Sequence, residues 1–503
     1  MTRTIQKRAL ALAVGTALGT VAAAVQASGF QLMEQSASGL GLAFAGMAAA
    51  GQDASTAFWN PAAMSLLPGV QGAAVLSYIA PQTEFKDDGS SGLYSRGTEV
   101  YDLGTLGDGG SDGAPNAWVP ALYATWMLTP DWSVGLTVNA PFGLATEWDR
   151  PWAGQFFAVK SEIETLNINP TLSFKVNDMV TLGAGLSYQR LKAELTNAVF
   201  DPRIPNPAHS PIAKVDGTDW GFGWNVGALI DFQQGTRLGL TYRSTIDYTL
   251  DGGKLTVGGA NPLPGGIPNS VTADVELPDV FSIGLSHQIT PDTRILADWT
   301  WTGWDSIQDL TIRQATFGTA VKTTPLNFED SWRAGLGVEH QLNPSWLLRA
   351  GVAYDKTPVQ DEYRTPRLPD EDRTWLALGV RYQPEQNAAW WVDVGYSYIW
   401  VDDATSQLSE CLYATAKGCV YSGTLNGTYE SDINLFAAQV SFRFGPATPR
   451  RTGSSGAAPE TRKPPDGRLS RYSVRDGLRC TGRCRSRRRT RRRSRRHRTP
   501  RRR

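Results

Sequence analysis

The side chains able to do covalent chemistry are few, and their spacing does not suit it. Gly109-Gly110-Ser111-Asp112-Gly113 fits the G-x-S-x-G pattern of a nucleophilic serine. That chemistry needs a strand-to-helix elbow, and this run lies in a Gly/Asp-rich loop. His209, His287, His340 and His497 make no H-E-x-x-H pair. Asp87, Asp88, Asp102, Asp108 and Asp112 crowd one stretch, where a solvated loop is the plain reading and Ca²⁺ binding the alternative. Cys480 and Cys484 stand C-x3-C apart with no second pair of ligands. No catalytic residue, metal site or cofactor is therefore expected. Cys411 and Cys419 lie eight apart. An oxidising compartment would join them in a disulfide; a free thiol pair is the other reading.

The segments that carry these residues differ sharply. Lys and Arg number 49 and Asp and Glu 48 over 503 residues, but the balance describes no part of the chain. Residues 1–27 hold Arg3, Lys7 and Arg8 with no acid, then an apolar run from Ala9 to Val25 and small residues up to Ala27. This reads as a secretory signal peptide cleaved after Ala27. Residues 445–503 hold 22 Lys/Arg against Glu460, Asp466 and Asp476. Such an Arg-rich tail has almost nothing with which to build a core and reads as disordered or not native. An arm for an anionic surface is the functional alternative, but an exported chain gives no reason to expect nucleic acid. Residues 28–444 are left with a balance of −21. No stretch of 18 apolar residues exists, which excludes a helical membrane protein.

From residue 69 to 444 the apolar pattern has period two. Val180, Leu182, Ala184, Leu186 and Tyr188 alternate with Thr181, Gly183, Gly185 and Ser187. Trp346, Leu348, Ala350, Val352 and Tyr354 repeat the pattern, as do Trp390, Val392, Val394, Tyr396, Tyr398 and Trp400. One continuously apolar face opposite a small or polar one suits a strand with lipid outside and a filled interior. Strands are predicted to begin near residues 69, 116, 131, 159, 179, 217, 235, 270, 292, 326, 345, 371, 389 and 431, fourteen in all. Short turns such as Thr129-Pro130-Asp131 and Thr290-Pro291-Asp292 alternate with seven long loops, including 80–115, 305–325 and 402–430. The expected fold is all-β: a 14-stranded antiparallel transmembrane β-barrel in the outer membrane of a Gram-negative bacterium, with its N-terminus periplasmic. Aromatic girdles (Trp132, Tyr188, Tyr242, Trp346, Trp390, Trp400) and the closing Phe442-Arg443-Phe444 argue against a soluble sandwich or propeller. Residues 28–68 do not alternate and are rich in Gly, Ala and Ser, which suits a periplasmic appendage or a plug.

Ser28-Gly29-Phe30-Gln31-Leu32, Glu34-Gln35-Ser36-Ala37-Ser38-Gly39-Leu40-Gly41 and Phe58-Trp59-Asn60-Pro61-Ala62 resemble the N-terminus of the outer-membrane long-chain fatty-acid transporter family, FadL. The resemblance continues through Asn167-Ile168-Asn169-Pro170, Trp220-Gly221-Phe222-Gly223-Trp224-Asn225 and Arg364-Thr365-Pro366-Arg367-Leu368-Pro369-Asp370. It spans 28–444 and none of the tail. It implies an N-terminal hatch over 28–68 that carries the motif Asn60, Pro61 and Ala62 and plugs a barrel over 69–444. It also implies an apolar ligand pocket touching the mature N-terminus, Ser28, Gly29 and Phe30. A lateral exit through an early strand is part of the same pattern. Asn139-Ala140-Pro141 is the candidate kink, because Pro lacks the ladder donor; that Pro141 simply starts a loop is the equal alternative. Long-chain fatty acids or other hydrophobic small molecules are the implied ligands, carried passively by a barrel expected to be monomeric. Outer-membrane lipid, lipopolysaccharide and the barrel-assembly machinery are the implied surroundings.

The sequence departs from the family where an Arg-Tyr pair often follows the Gly at 154; here Gln155-Phe156 stands instead. Gln155 supplies no charge for a substrate carboxylate. Either another cation, with Arg333 and Arg349 as candidates, meets that carboxylate, or the substrate is an uncharged aromatic hydrocarbon. An adhesin or phage-receptor barrel is the remaining class, and the hatch motif argues against it.

Overall fold

The structure is a computed structural model. It describes residues 28–444 except 97–98, 103–108, 202–203, 205–208, 260–268, 386–387 and 416–417. The expected signal peptide, the Arg-rich tail with Cys480, Cys484 and His497, and Asp108 lie outside the described residues.

Fourteen antiparallel strands close into a barrel. The first seven are β1 (Val70–Asp87), β2 (Ala117–Met127), β3 (Trp132–Asn139 and Gly143–Glu147), β4 (Lys160–Lys175), β5 (Val180–Ala198), β6 (Ile212–Asp231) and β7 (Thr236–Arg243, Ile246–Thr249 and Gly253–Val257). The rest are β8 (Ser270–Leu277 and Val280–Thr290), β9 (Thr293–Thr302 and Asp309–Gln314), β10 (Ala320–Pro325 and Ser331–Asn343), β11 (Trp346–Asp355), β12 (Arg373–Tyr382), β13 (Trp390–Val401 and Ala404–Thr415) and β14 (Gly418–Phe444). Closure is made by β1 on β14, in register from Val70 opposite Phe444 to Asp87 opposite Gly427. A closed wall leaves no edge strand to be satisfied in lipid.

The alternation decides which face meets lipid. Leu182, Leu186, Leu336, Val352, Leu378 and Val394 are exposed on the outer surface, and their neighbours in sequence are turned inward. Aromatic pairs mark the inner-turn end (Trp132 on Phe174, 4.4 Å; Trp346 on Tyr382, 4.7 Å) and the outer end (Tyr188 on Trp220, 4.3 Å; Trp332 on Tyr354, 5.5 Å). No helix among the described residues is long and apolar enough to cross a membrane; strands do the crossing.

Several strands run further than their sequence signal. The stretch 402–430, expected as a loop, is mostly ladder, with Ala404–Thr415 paired to residues 418–429 of β14. Its alternating Leu408, Leu425 and Tyr429 pack with Phe85, Trp148 and Trp152 above the barrel rather than against lipid. Most of 305–325 is likewise strand, in the outer parts of β9 and β10.

Residues 28–68 fill the lumen. Their short elements, α1 (Ala37–Leu40), α2 (Met47–Ala50) and α3 (Thr56–Trp59), are each four residues, and a 3-10 turn follows over Pro61–Leu66. Ser36 caps α1, its Oγ accepting from Gly39 N at 3.1 Å. Small side chains allow the chain to lie against the inward face of the wall, and nearly all of them are buried.

Candidate functional site

The lower half of the lumen holds the hatch by polar anchors. Asn60 donates from Nδ2 to Ala48 O (2.8 Å) and to Ala228 O on β6 (3.1 Å), and its Oδ1 accepts from Ala62 N (3.0 Å). A Cβ at Gly227 would overlap that side chain, so the wall needs glycine there. Pro61 begins the 3-10 turn, where its missing N–H costs nothing, and Ala62 O accepts from Ser173 Oγ on β4 at 3.2 Å. The Asn-Pro-Ala motif is thus a bracket between hatch and wall.

Arg333 and Arg349 belong to the same anchoring layer. Arg333 pairs with Asp298 (3.0 Å) and donates to Ala43 O in the hatch. Arg349 pairs with Glu339 (2.8 Å) and Asp393 (2.6 Å). Arg294 completes the Glu339 side and Arg381 the Asp393 side. Arg333 and Arg349, the candidates for a ligand carboxylate, are each paired with buried acids, and neither residue lines the cavity described below.

The N-terminal residues sit higher. Ser28 Oγ donates to Lys356 O, and Gly29 N donates to Asp370 Oδ2 at 2.8 Å. Gly29 has φ +65°, and a Cβ there would lie 2.6 Å from Trp304, so only glycine fits the bend. Phe30 then inserts edge-on between Trp304 (4.8 Å) and Phe142 (6.1 Å).

The β3 ladder breaks beside it. Asn139 pairs with Asn167 and Gly143 with Glu164, so three residues of β3 oppose two of β4. The freed backbone groups bond the hatch: Leu32 N to Pro141 O (2.8 Å), Gly143 N to Phe30 O (2.9 Å) and Gln35 Nε2 to Ala140 O (2.8 Å). Asn139 Nδ2 donates to Gln35 Oε1 at 2.8 Å. The hatch occupies the wall break as a short extra strand segment, with Gln31 bridged to Phe142.

Above Phe30 lies a cavity of about 380 Å³. Ile163, Leu191, Val215, Tyr248 and Ile307 make its lining mostly apolar, and Phe30 forms one end. No Lys or Arg is among its lining residues. Gln155 and Phe156 do not line it either. Gln155 is fully buried and accepts from Arg150 Nε at 2.9 Å, and Phe156 packs on Tyr421 at 5.5 Å.

A buried cation with no counterpart in the sequence reading lies against the strands β4 and β5, outside the cavity lining. Arg367, in the loop between β11 and β12, donates to Ser161 Oγ (3.0 Å), Thr196 O (3.4 Å) and Asn197 Oδ1 (3.5 Å). Ser161 is paired across the ladder with Leu195, which lines the cavity with Ile163. All of these acceptors are neutral. Burial lowers the guanidinium to about 10, so it stays cationic at neutral pH. Nothing in the sequence separated it from Arg364, three residues earlier, which pairs with Asp361 at 2.7 Å and with Glu371. Farther out, Cys411 and Cys419 are joined in a disulfide.

The profile of the outer membrane protein transport proteins (OMPP1/FadL/TodX) matches residues 18–444. The chain belongs to this family. Its relatives include the long-chain fatty acid transport protein of Escherichia coli O6:H1, 29% identical over 418 residues, covering 77% of this chain and 90% of that one. Outer membrane protein P1 of Haemophilus influenzae is 28% identical over 464 residues, covering 86% and 98%. Among solved structures, a Pseudomonas aeruginosa FadL homologue aligns with TM-score 0.73 and 27% identity over 83% of this chain and 100% of that one. The Ralstonia pickettii toluene transporter TbuX aligns at TM-score 0.52 and 18% identity, over 83% and 99%, which shows the shared fold. The family membership and the closed barrel place this protein in the outer membrane as a transport protein. As an OMPP1/FadL/TodX barrel it has a plugged lumen, a wall break filled by its own N-terminus, and an apolar cavity ending on that N-terminus.

Proposed function

We propose that the protein carries long-chain fatty acids across the outer membrane by passive diffusion, with the acyl chain in the cavity above Phe30 and the carboxylate at Arg367. The observation that carries this is an apolar void with Phe30 of the hatch at one end, together with a buried cation, Arg367, whose hydrogen bonds go to neutral acceptors on the strands that carry the lining residues Ile163 and Leu195. Each CH₂ taken from water contributes about 0.8 kcal/mol, so such a void captures an acyl chain with no chemical step. An anion arriving at Arg367 exchanges neutral acceptors for a charge-assisted, bidentate pair. Supporting names come from the relatives, of which the Escherichia coli proteins are fatty acid transporters by description. Release follows the β3 break: once Phe30 and Leu32 leave residues 140–143, the ligand slips sideways into the membrane instead of re-entering water. Cleavage after Ala27 frees Ser28 to act as the mobile end of this plug.

Equilibrium binding of oleate and of oleyl alcohol to the purified barrel tests the reading. Arg367→Gln should weaken oleate by about tenfold, the worth of a lost charge-assisted contact, and leave the alcohol unchanged. Equal loss of both ligands, or of neither, removes Arg367 from the site. Absence of oleate binding to the unsubstituted protein removes the fatty-acid reading and leaves uncharged aromatic hydrocarbons, to be titrated as toluene.

A further inference from the structure

The β8–β9 ladder stops and restarts. Residues 271–273 pair with 312–314, and 280–290 pair with 293–302. Between these blocks, 274–279 faces 303–311 across one backbone hydrogen bond among the described residues, Gly303 N to Asp279 O at 3.0 Å. Pro278 has no donor to offer. On the β9 side the chain turns through a 3-10 segment, Trp304–Ser306, which carries Trp304 fully into the interior. The interruption is wider than the β3 break, where three residues oppose two.

Its neighbours are closed. The β3 break holds the hatch backbone. Between β6 and β7 the ladder also lapses, but there Ile246 lies over Gly221 and Gly223, and Leu250 over Gly217. Both edges of the β8–β9 interruption line the cavity, Val275 and Glu276 on one side and Ser306, Ile307 and Leu310 on the other; the cavity also reaches the β6–β7 lapse at Gly217 and Tyr248, where Ile246 and Leu250 cover the glycines. Asp274 and Asp309, also lining, are exposed, whereas Phe30 at the far end is buried. The void therefore runs from the N-terminal plug to the outer surface of the wall. The gap starts just beyond Thr302, next to the exposed Trp299 and Trp332 of the outer aromatic belt. Such a belt lies at the membrane interface, so the gap faces the outer leaflet's boundary.

We propose that the gap between β8 and β9 is a side entrance through which uncharged apolar molecules dissolved in the outer leaflet reach the cavity. This goes beyond the fatty-acid reading but rests on the cavity being the transport site. Charge sets the selectivity. Asp274, Glu276 and Asp309 line the entrance, and Asp305 lies on the same turn, while the cavity lining holds no cation. A carboxylate is repelled there and takes the route past Arg367; a long-chain alcohol or a hydrocarbon is not repelled.

The test uses the full chain in a Gram-negative host lacking its own barrel of this kind. Glu276→Cys is modified with a bulky maleimide, and uptake of radiolabelled oleyl alcohol and oleate is followed. Thr374→Cys, on the exposed face of the unbroken β12 ladder, takes the same reagent as control, and the unsubstituted chain controls for the other cysteines. Modification at 276 should abolish most alcohol uptake and spare oleate; modification at 374 should change neither. Alcohol uptake that survives modification at 276 overturns the entrance. Equal loss of both ligands overturns its selectivity. If the unmodified protein takes up oleate but no alcohol, the entrance falls while the transport reading stands; if it takes up neither, both fall. Separately, Asp274→Asn with Asp309→Asn should raise oleate uptake relative to alcohol several-fold, since screening leaves close charges effective. An unchanged ratio removes the charge filter.

Discussion

Phe30→Ala probes how firmly the plug is seated. The side chain is 5% exposed and meets Trp304 and Phe142 edge-on. Removing a buried phenylalanine costs about 3–5 kcal/mol where the site does not collapse. Collapse is hindered here, because Trp304 is pinned by Gly29 on one side and packed on Phe328 at 6.1 Å on the other. The backbone bonds of the plug, Leu32 N to Pro141 O and Gly143 N to Phe30 O, survive the substitution. The loss therefore falls on the docking equilibrium of residues 28–32. At 1.4 kcal/mol per decade, docking weakens by about 100- to 4,000-fold. Hydrogen exchange in detergent reads this directly: the Leu32 and Gly143 amides should exchange that much faster, while Val352 amide in the β11 ladder does not change. The vacated volume should also admit a small apolar ligand such as toluene and slow the exchange again, as dry cavities in protein cores do. Unchanged exchange at Gly143 would refute the reasoning, because it would mean the backbone bonds alone seat the plug.

Asn60→Ala should lower the thermal transition of the folded barrel or expose the 52–66 segment to protease, since it removes the bonds to Ala48 O, Ala228 O and Ala62 N, at about 1–3 kcal/mol for each group left buried without a partner. Arg349→Ala should destabilise by about 3–5 kcal/mol, because it strips one partner from each of Glu339 and Asp393. Oleate affinity of the surviving fold should stay put, in contrast to Arg367→Gln; a matching drop in affinity would return Arg349 to the ligand site. Cys411→Ser should speed tryptic cleavage in the outer hairpin of β13 and β14 without altering uptake, because the bond closes a short span and neither cysteine lines the cavity. Loss of uptake with an intact barrel would show that this hairpin takes part in capture.

The barrel was legible because its physics is local. Lipid on one side and small polar residues on the other impose period two, so most strand starts fall within two residues of the sequence pattern: 70, 117, 132, 160, 180, 236 and 346 among them. The extended hairpin at 402–430 was not legible. Leu408, Leu425 and Tyr429 are apolar for a soluble reason, cover from Trp148 and Trp152, and their strand has no lipid-facing row to announce it. The wall interruptions were hidden for the opposite reason. Val271, Ala273, Val275 and Leu277 keep perfect alternation straight through the stretch where β8 loses β9. Facing in or out is a property of one strand, while pairing is a property of two, and the second partner is thirty residues away. The ion pairs of the arginines were hidden in the same manner. Arg333 and Arg349 are neutralised by Asp298, Glu339 and Asp393, partners brought opposite them by register across four ladders.

The geometry of Phe30 gives the two wall breaks a physical connection. Its ring touches Phe142 in the β3 break and Trp304 at the β8–β9 gap, and its carbonyl accepts from Gly143. A ligand that enters beside Ile307 and displaces Phe30 from Trp304 takes the same residue away from β3. Entry on one side of the lumen then loosens the seal on another, and the incoming apolar chain replaces the contacts that the ring gives up. Without ligand, unseating Phe30 exposes a large apolar ring and an empty void, at several kcal/mol. With ligand, most of that cost is offset by the methylenes that fill the void. The barrier that keeps the empty barrel closed is thus the one that an apolar passenger removes. The same coupling explains why a passive conduit with two interruptions in its wall is not a hole.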